Sequence, residues 1–578
     1  MTEQKTPKTI HRGRAALEAF AEAQRFNAFL SDTHFQRLIS IYAPKSRREV
    51  LEEALTNFGE VLLEEVDEFV RQNNEPANLP RLARYSDHGS RVEEIDHHPS
   101  YHFAGEYIYG SGIMAAYKDH PNSIGALSRF YLSSYNGEAG HNCPLACTAG
   151  VIRVLQELGT EDLQEAFLPD FLNPIYGEHL EGAQFLTEVQ GGSDVGQNGT
   201  WAEQEEDGTW RIFGEKWFCS NIDADVFLMT ARVDGFDEEG TPGLGLFLVP
   251  RTLETGQVNE FYVRRLKEKL GTRSMASGEA DFRGALAFHM GEVGEGFKNM
   301  MELVINTSRL YNAVGGCGVM RRAYLVARTY ADHRIAFGQK IGNYPLVQET
   351  LANLKSEQET MLSGNIYLVA MQDKIDSGEA TEQERAFFRM ALNLNKTTVA
   401  KAGRWACVEA IEILGGNGAI ESFSVLPRLL RDSIVYENWE GTHNTLYMQV
   451  LRDMKKYALH QAYFAQIQAL LDASSSGEEA NRSAELAAFA KGLATQAEAL
   501  LEAPLPVASL GMRRIVDEFS YLFYATVRTW ERATMGARDS EESDASLEHF
   551  MDRHIRKVDN ALEDPSYFQR LSTLYESD

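Results

Sequence analysis

Cysteine is scarce: five in 578 residues, at Cys143, Cys147, Cys219, Cys317 and Cys407. So odd and scattered a set excludes a disulfide framework and suggests a reducing compartment, so a cytoplasmic location is expected. Cys143 and Cys147 have the spacing of one helix face, but no second pair with zinc spacing follows, and no metal is expected. Long apolar runs are missing too. None reaches the ~18–20 residues of a membrane span, so no stable membrane insertion is expected. The first twenty residues, "MTEQKTPKTIHRGRAALEAF", lack the apolar core of a signal peptide. Positive charge is in short supply: 56 Lys and Arg stand against 84 Asp and Glu, for a net charge of −28. A field of that sign repels nucleic acid and anionic lipid unless a local basic patch overrides it. Residues 455–578 carry 13 basic against 20 acidic side chains, so no nucleic-acid partner is expected. There is no internal repeat, and low complexity is limited to "SSSGEE".

What is present suits large cores. Hydrophobic residues make up 43%, with 30 Phe and 23 Tyr, and the length calls for several domains. Residues 1–95 read as a polar helical extension, on stretches such as "RREVLEEALTNFGEVLLEEVDEFVRQN", broken at "NNEPANLP". Residues 96–181 read as a second helical domain. From 182 to 290 the rhythm changes to short aromatic and β-branched runs separated by Gly, Asp and Asn, as in "TWRIFGEKWFCSN" and "GLGLFLVP". That is the size of a β-sandwich or barrel. Helices return over 291–455. One carries an apolar stripe at Val347, Leu351, Leu354, Met361 and Leu362, and the next is closed by the Gly415–Gly416 pair. Residues 456–578 read as a further helical domain with a soft linker, "DASSSGEEAN".

Three stretches carry candidate chemistry. In "TEVQGGSDVG", residues 187–196, two glycines followed by Ser193 and Asp194 let the backbone approach a ligand and offer donors; the same letters also make an ordinary capped turn. In "EKWFCSNIDADVF", residues 215–227, Trp217 and Phe218 should alternate across a strand, so that only one faces a given side. An aromatic wall beside Ser220 suits a flat heterocycle, although aromatic residues are normal in strands. In "YENWEGTHNTLY", residues 436–447, Glu440 follows Trp439 with no Lys or Arg nearby in sequence. Desolvation there favours a base, and Gly441 leaves room for a substrate. An exposed helix-end glutamate is the alternative.

Taken with two more stretches, and with the third extended at its N-terminal side, the chain resembles the acyl-CoA dehydrogenase family of flavoenzymes over residues 95–455. "TEVQGGSDVG" resembles its flavin stretch and "GEKWFCSN" its flavin strand. "GEVGEGF" and "RIAFGQKI" resemble two further motifs. "EILGGNGAIESFSVLPRLLRDSIVYENWEGTHN" resembles its C-terminal run. The N-terminal addition, "HHPSYH" and "NWEGTHN" look nearest the AidB-like branch. The resemblance implies an α+β fold: an N-terminal helical domain, a central β-sandwich or barrel domain and a C-terminal four-helix domain, with helical additions at both ends.

It also implies FAD, and Glu440 as the catalytic base for α,β-dehydrogenation of an acyl-CoA. Thr187, Gly192, Ser193 and Ser220 would meet the flavin, and Phe218 would cover it. Arg334, Phe337, Gly415 and Gly416 would serve a neighbouring subunit's cofactor, implying a homodimer or homotetramer. Thr442 and Asn444 would be further cofactor contacts, and Ser193, Arg309 and Gly441 would adjoin the substrate. Electron-transfer flavoprotein is the implied acceptor. The AidB-like branch implies an alternative, a flavoprotein that binds acyl-CoA or another hydrophobic ligand with little turnover. Phe218 stands where many members have Trp, and Glu412 and Pro345 stand where many have Gln. A carboxylate beside a pyrophosphate is unfavourable unless it points away.

Overall fold

The computed structural model describes residues 8–236, 238–535, 541–558 and 566–576. The chain divides into two compact units. One gathers residues 65–312 with 438–445; the other gathers residues 1–64, 313–437 and 446–578.

The first unit is a β-barrel with helices. Its strands are β1 (Arg81–Tyr85), β2 (Arg91–Asp96), β3 (Gly182–Phe185), β4 (Trp201–Gln204), β5 (Trp210–Ser220), β6 (Val226–Val233), β7 (Leu244–Pro250), β8 (Phe261–Leu266) and β9 (Ser277–Met290). Neighbours run β6, β4, β5, β9, β7 and back to β6, so this ring of five closes; β3 adds parallel to β6, and β8 pairs with β9. Closure leaves no free edge within the ring. Of the two β architectures expected, the barrel is the one found. Its core holds Phe185, Ile212, Phe227, Met229, Phe247, Phe261 and Phe282. Every residue of β7 is buried, which explains why "GLGLFLVP" shows no polar alternation.

β1 and β2 correct the helical reading of residues 1–95. They form an antiparallel hairpin around "SDHGS", closed by Ser86 N–H donating to the Ser90 carbonyl at 2.8 Å. The turn residues, with Gly89 at φ 79°, were the signal that helical spacing upstream obscured. The "HHPSYH" stretch starts the helix Pro99–Gly110, where His97 Nε2 lies 2.9 Å from Asp223 and its ring stacks on Tyr101.

The second unit is helical among its described residues, apart from a two-residue hairpin at Ile335–Ala336 and Gln339–Lys340. Its longest helices are Pro345–Asp376, begun by a proline at the first turn, and Glu382–Leu414, begun by a Thr381–Glu384 capping box. The amphipathic stripe read in the first is too narrow. Leu351, Leu354, Met361 and Leu362 are buried, but so are Lys355, Ser356, Glu357, Gln358 and Glu359 between them, while Val347 is half-buried. The middle of the helix, residues 354–369, is covered all round because segments near both ends of the chain pack onto it. His34 from the N-terminal region reaches the Glu359 carbonyl at 2.8 Å and Arg528 at 2.9 Å, and Tyr42 donates to Glu531 at 2.7 Å. "DASSSGEEAN" is likewise not a soft linker. Glu479 within it is buried and paired with Arg482 and Arg532. No helix among the described residues is long and apolar enough to cross a membrane.

Candidate functional site

Glu440 stands between the helices Leu426–Asn438 and His443–Tyr457, in a turn that belongs to the barrel unit. Its φ is 54° and that of Gly441 is 100°. Glycine takes such values freely, whereas a side-chain-bearing residue in this region costs about 1–2 kcal/mol. Neighbours hold it there. Arg309 donates from Nε to the Glu440 main-chain carbonyl at 3.1 Å. Gln184 donates from Nε2 to Glu440 Oε1 at 2.8 Å. Ser308 Oγ lies 3.1 Å from the same Gln184 nitrogen and 3.2 Å from its amide oxygen. The glutamate is therefore half-buried and gripped at both ends, neither an exposed helix end nor free of basic company. The guanidinium comes from Arg309, 131 residues away in sequence. The Cys147 thiol is held well above the usual thiol range by its hydrogen bond to Cys143 and by burial, with a further push from the Glu440 carboxylate.

The glycine-rich loop meets this turn. Ser193 Oγ lies 3.3 Å from Thr445 Oγ1, which lies 3.0 Å from Thr442 Oγ1. A β-carbon on Gly192 would sit 2.3 Å from Thr187 Oγ1, so the loop passes Thr187 too closely for any side chain. Trp217 N–H donates to the Thr187 carbonyl at 2.8 Å and ties the loop to β5. Beneath it, the buried Lys216 ammonium donates to Glu188 at 2.8 Å and to the Thr230 carbonyl at 3.0 Å. Glu188 also accepts from Gly199 N–H at 2.7 Å. Burial pushes the Glu188 carboxyl up, but Lys216 and the donors of Thr200 and Gly199 more than offset it, so it lies below its ordinary value. Burial draws the Lys216 ammonium down against the pull of Glu188.

The expected alternation of Trp217 and Phe218 fails for a local reason. Lys216 pairs with Ala280 and Cys219 with Gly278, so β5 has one residue more than β9 over this step. The bulge lets one ammonium, Lys267 Nζ, approach both rings, at 3.7 Å from the centroid of Trp217 and 4.7 Å from that of Phe218. Phe218 keeps 54% of its surface exposed. Ser220 Oγ, two residues on, lies 3.2 Å from Ser277 Oγ. Thr442 and Asn444, two and four residues after Glu440, are exposed.

The barrel unit thus holds Thr187, Gly192, Ser193, Phe218, Ser220, Arg309, Glu440, Gly441, Thr442 and Asn444. Arg334, Phe337, Gly415 and Gly416 lie in the helical unit and are exposed there. Phe337 is 98% exposed at φ 51°, followed by Gly338 at φ 93°. Gly415 has φ 60°, and Glu412 before it is exposed. Gln184, Ser308, Glu188, Lys216 and Lys267 escaped the sequence reading. Glu188 and Lys216 stand inside the quoted stretches, but beside other charges, Asp194 and Glu215, so nothing local marked the two as a buried pair. Gln184 left only one polar letter in "GAQF".

Comparison with known proteins places these features in a family. Residues 19–178 match the adaptive response protein AidB N-terminal domain, residues 183–285 the acyl-CoA dehydrogenase middle domain, and residues 294–455 the acyl-CoA dehydrogenase C-terminal domain. The chain is 33% identical to AidB of Escherichia coli K12 over 394 residues, covering 66% of this chain and 70% of that protein. The crystal structure of Caenorhabditis elegans ACDH-11 in complex with C11-CoA superposes with a TM-score of 0.84 at 26% identity, covering 92% of this chain and 91% of that one. A Bacillus anthracis acyl-CoA dehydrogenase complexed with FAD shares the fold, with a TM-score of 0.69 at 19% identity and 92% of each chain covered.

Proposed function

The chain belongs to the acyl-CoA dehydrogenase family, and from that premise we propose that it is a FAD-dependent dehydrogenase of acyl-CoA thioesters with Glu440 as its base. The observation that carries this reading is the grip on Glu440, a carboxylate in a strained turn, aimed by Gln184 and anchored by Arg309. Strain maintained by specific contacts is a mark of a working site. In the proposed reaction Glu440 takes the proton from the carbon next to the thioester carbonyl, a double bond forms to the next carbon, and hydride leaves that second carbon. FAD, when bound, supplies the acceptor for that hydride.

The residues present suit a flat cofactor with polar edges. Phe218 offers an exposed ring, with the Ser220 hydroxyl two residues on and the loop that carries Thr187 and Ser193 tied to the same strand by the Thr187–Trp217 bond. The bulge presents Trp217 and Phe218 together rather than to opposite sides. Arg334, Phe337, Gly415 and Gly416 are proposed to serve a neighbouring subunit's FAD, in a homodimer or homotetramer. Electron-transfer flavoprotein is the proposed oxidant of the reduced cofactor.

The match of residues 19–178 to the AidB N-terminal domain favours a second reading, a flavoprotein that binds acyl-CoA or another hydrophobic ligand and turns over little. Anaerobic titration of the purified protein with acyl-CoAs of graded length separates the two. A dehydrogenase bleaches the flavin stoichiometrically with at least one of them, whereas a binder perturbs the spectrum without bleaching. With the best substrate, Glu440→Gln should slow bleaching by about 10²–10⁴, the contribution of a general base, while FAD stays bound. A variant as fast as wild type means that the base is another residue.

A further inference from the structure

We propose that Gln184, oriented by Ser308, is a positioning residue that keeps the Glu440 carboxylate ionised and aimed, so that an amide on β3 sets the acid limit of the reaction. The inference rests on Glu440 being the base.

Four observations converge on it. The Gln184 amide donates to Glu440 Oε1 at 2.8 Å, and a donor on the charged form of a carboxyl stabilises that form. The amide is not free to swing. Ser308 Oγ touches its nitrogen and its oxygen, at 3.1 and 3.2 Å, and Ser308 is itself buried. The main chain beneath it is fixed, because β3 pairs with β6 through Gln184 and Leu228 and the residues on either side, Ala183 and Phe185, are wholly buried. Finally, Ser308 is followed by Arg309, whose Nε takes the main-chain carbonyl of Glu440. Two consecutive residues therefore grip the same turn, one through the side chain by way of Gln184 and one through the main chain. A turn at φ 54° needs such support, because its own backbone preference would release it.

Other ionisable groups around Glu440 do different work. Arg309, from the helix that begins at Asn306, reaches the main-chain carbonyl. Cys147, from the helix Asn142–Leu158 and hydrogen-bonded to Cys143, feels the carboxylate's charge, which helps to hold its thiol neutral. His443 stands three residues along in the same turn. Gln184 is neutral at every pH, so it can bias the carboxyl without titrating itself.

The test uses the FAD-loaded protein and two readouts. Infrared difference spectra against Glu440→Gln follow protonation of the Glu440 carboxyl directly. Rates of flavin bleaching by the best acyl-CoA, measured across pH, give the acid limb of the reaction. Gln184→Leu, or Gln184→Met should the leucine variant fold poorly, should raise the infrared midpoint by about one pH unit, the size of one lost hydrogen bond to a charged oxygen. The acid limb should move with it. Ser308→Ala should move both the same way by less, because the amide stays but is no longer oriented. Gln184→Glu should move both furthest, since it replaces a donor by a like charge. If Glu440→Gln bleaches at the wild-type rate, the base lies elsewhere and the proposed function falls with this inference. If Glu440→Gln is slow but Gln184→Leu and Gln184→Met leave the midpoint unmoved, the base stands and only the role given to Gln184 is overturned.

Discussion

The Glu440–Gly441 turn and the Phe337–Gly338 turn are built alike and placed oppositely. In each, a side-chain-bearing residue with φ near 50° is followed by a glycine near 100° or slightly less. Glu440 is half-buried and held by Gln184 and Arg309. Phe337 is 98% exposed at the tip of a two-residue hairpin, whose nearest support is the Tyr344 hydroxyl donating to the Ala336 carbonyl at 3.0 Å. Strain at the first turn is balanced by contacts within its own unit. Strain at the second has no comparable grip on its side chain, and Ile335, Phe337 and Leu346 leave large apolar side chains exposed in one short stretch, which asks for a cover. That is the physical ground for proposing that Phe337 meets a neighbouring subunit, whereas Glu440 does its work within its own.

The largest effect should come from undermining the first turn. Ser193 reaches Thr445 from a loop pinned by the Glu188–Lys216 pair. Lys216→Met leaves a buried carboxylate without its cation, which should cost about 3–5 kcal/mol, read by urea unfolding with tryptophan fluorescence. The pH dependence should invert as well. Glu188 lies below its ordinary value in the folded protein, so its contribution is complete above the ordinary carboxylate range and is lost as pH falls through that lowered value. In Lys216→Met the stranded carboxyl should instead lie high, and acidification should narrow the gap to wild type. A gap that is constant with pH would mean that the pair carries no net charge energy.

Next in size is the cover over the second turn. Burying a Phe side chain contributes about 1.5–3 kcal/mol, so Phe337→Asp should weaken self-association by roughly 10–100-fold. Sedimentation velocity over a dilution series reads this directly. The melting temperature of the fully dissociated protein should not fall and should rise only slightly, since the side chain touches little of its own chain and a short polar side chain tolerates the left-handed backbone. An assembly that survives dilution equally in both proteins would remove Phe337 from any interface.

What could be read in advance follows the range of the interactions. The β domain, though not its closure into a barrel, declared itself through local features, short aromatic runs punctuated by turn residues, and so did the Gly415 end of the helix Glu382–Leu414. Glu440 could be singled out because Trp439 and Gly441 are its neighbours in sequence. Of its partners, Arg309 entered only through the family resemblance and Gln184 not at all, because Gln184 lies 256 residues away and contributes a single polar letter to an apolar strand. The bulge at Trp217–Phe218 was hidden for a related reason: it is a property of β5 paired with β9, and neither strand alone reveals that the count differs by one. The all-round burial of the middle of the helix Pro345–Asp376 depends on His34 and Arg528 arriving from opposite ends of the chain, and periodicity within the helix says nothing of that.

The smallest effect separates strain from contact at both turns with one kind of substitution. Asparagine tolerates the left-handed region better than most side chains, because its short polar group can bond locally. At Phe337, where few intramolecular contacts oppose the change, Phe337→Asn should release part of the about 1–2 kcal/mol of backbone cost and stabilise the dissociated protein by roughly 0.5–1 kcal/mol. At Glu440 the same relief is available, but a shorter side chain gives up the hydrogen bond from Gln184. A bond to a charged group is worth about 1.5–3 kcal/mol, so Glu440→Asn should show no gain or a net loss. Urea unfolding of the two variants at a concentration where both are dissociated decides it by sign. If both stabilise, Gln184 contributes little to holding the turn, and the contrast between the two turns reduces to exposure alone. If neither does, the backbone at Phe337 is not the source of strain that its dihedral angle indicates.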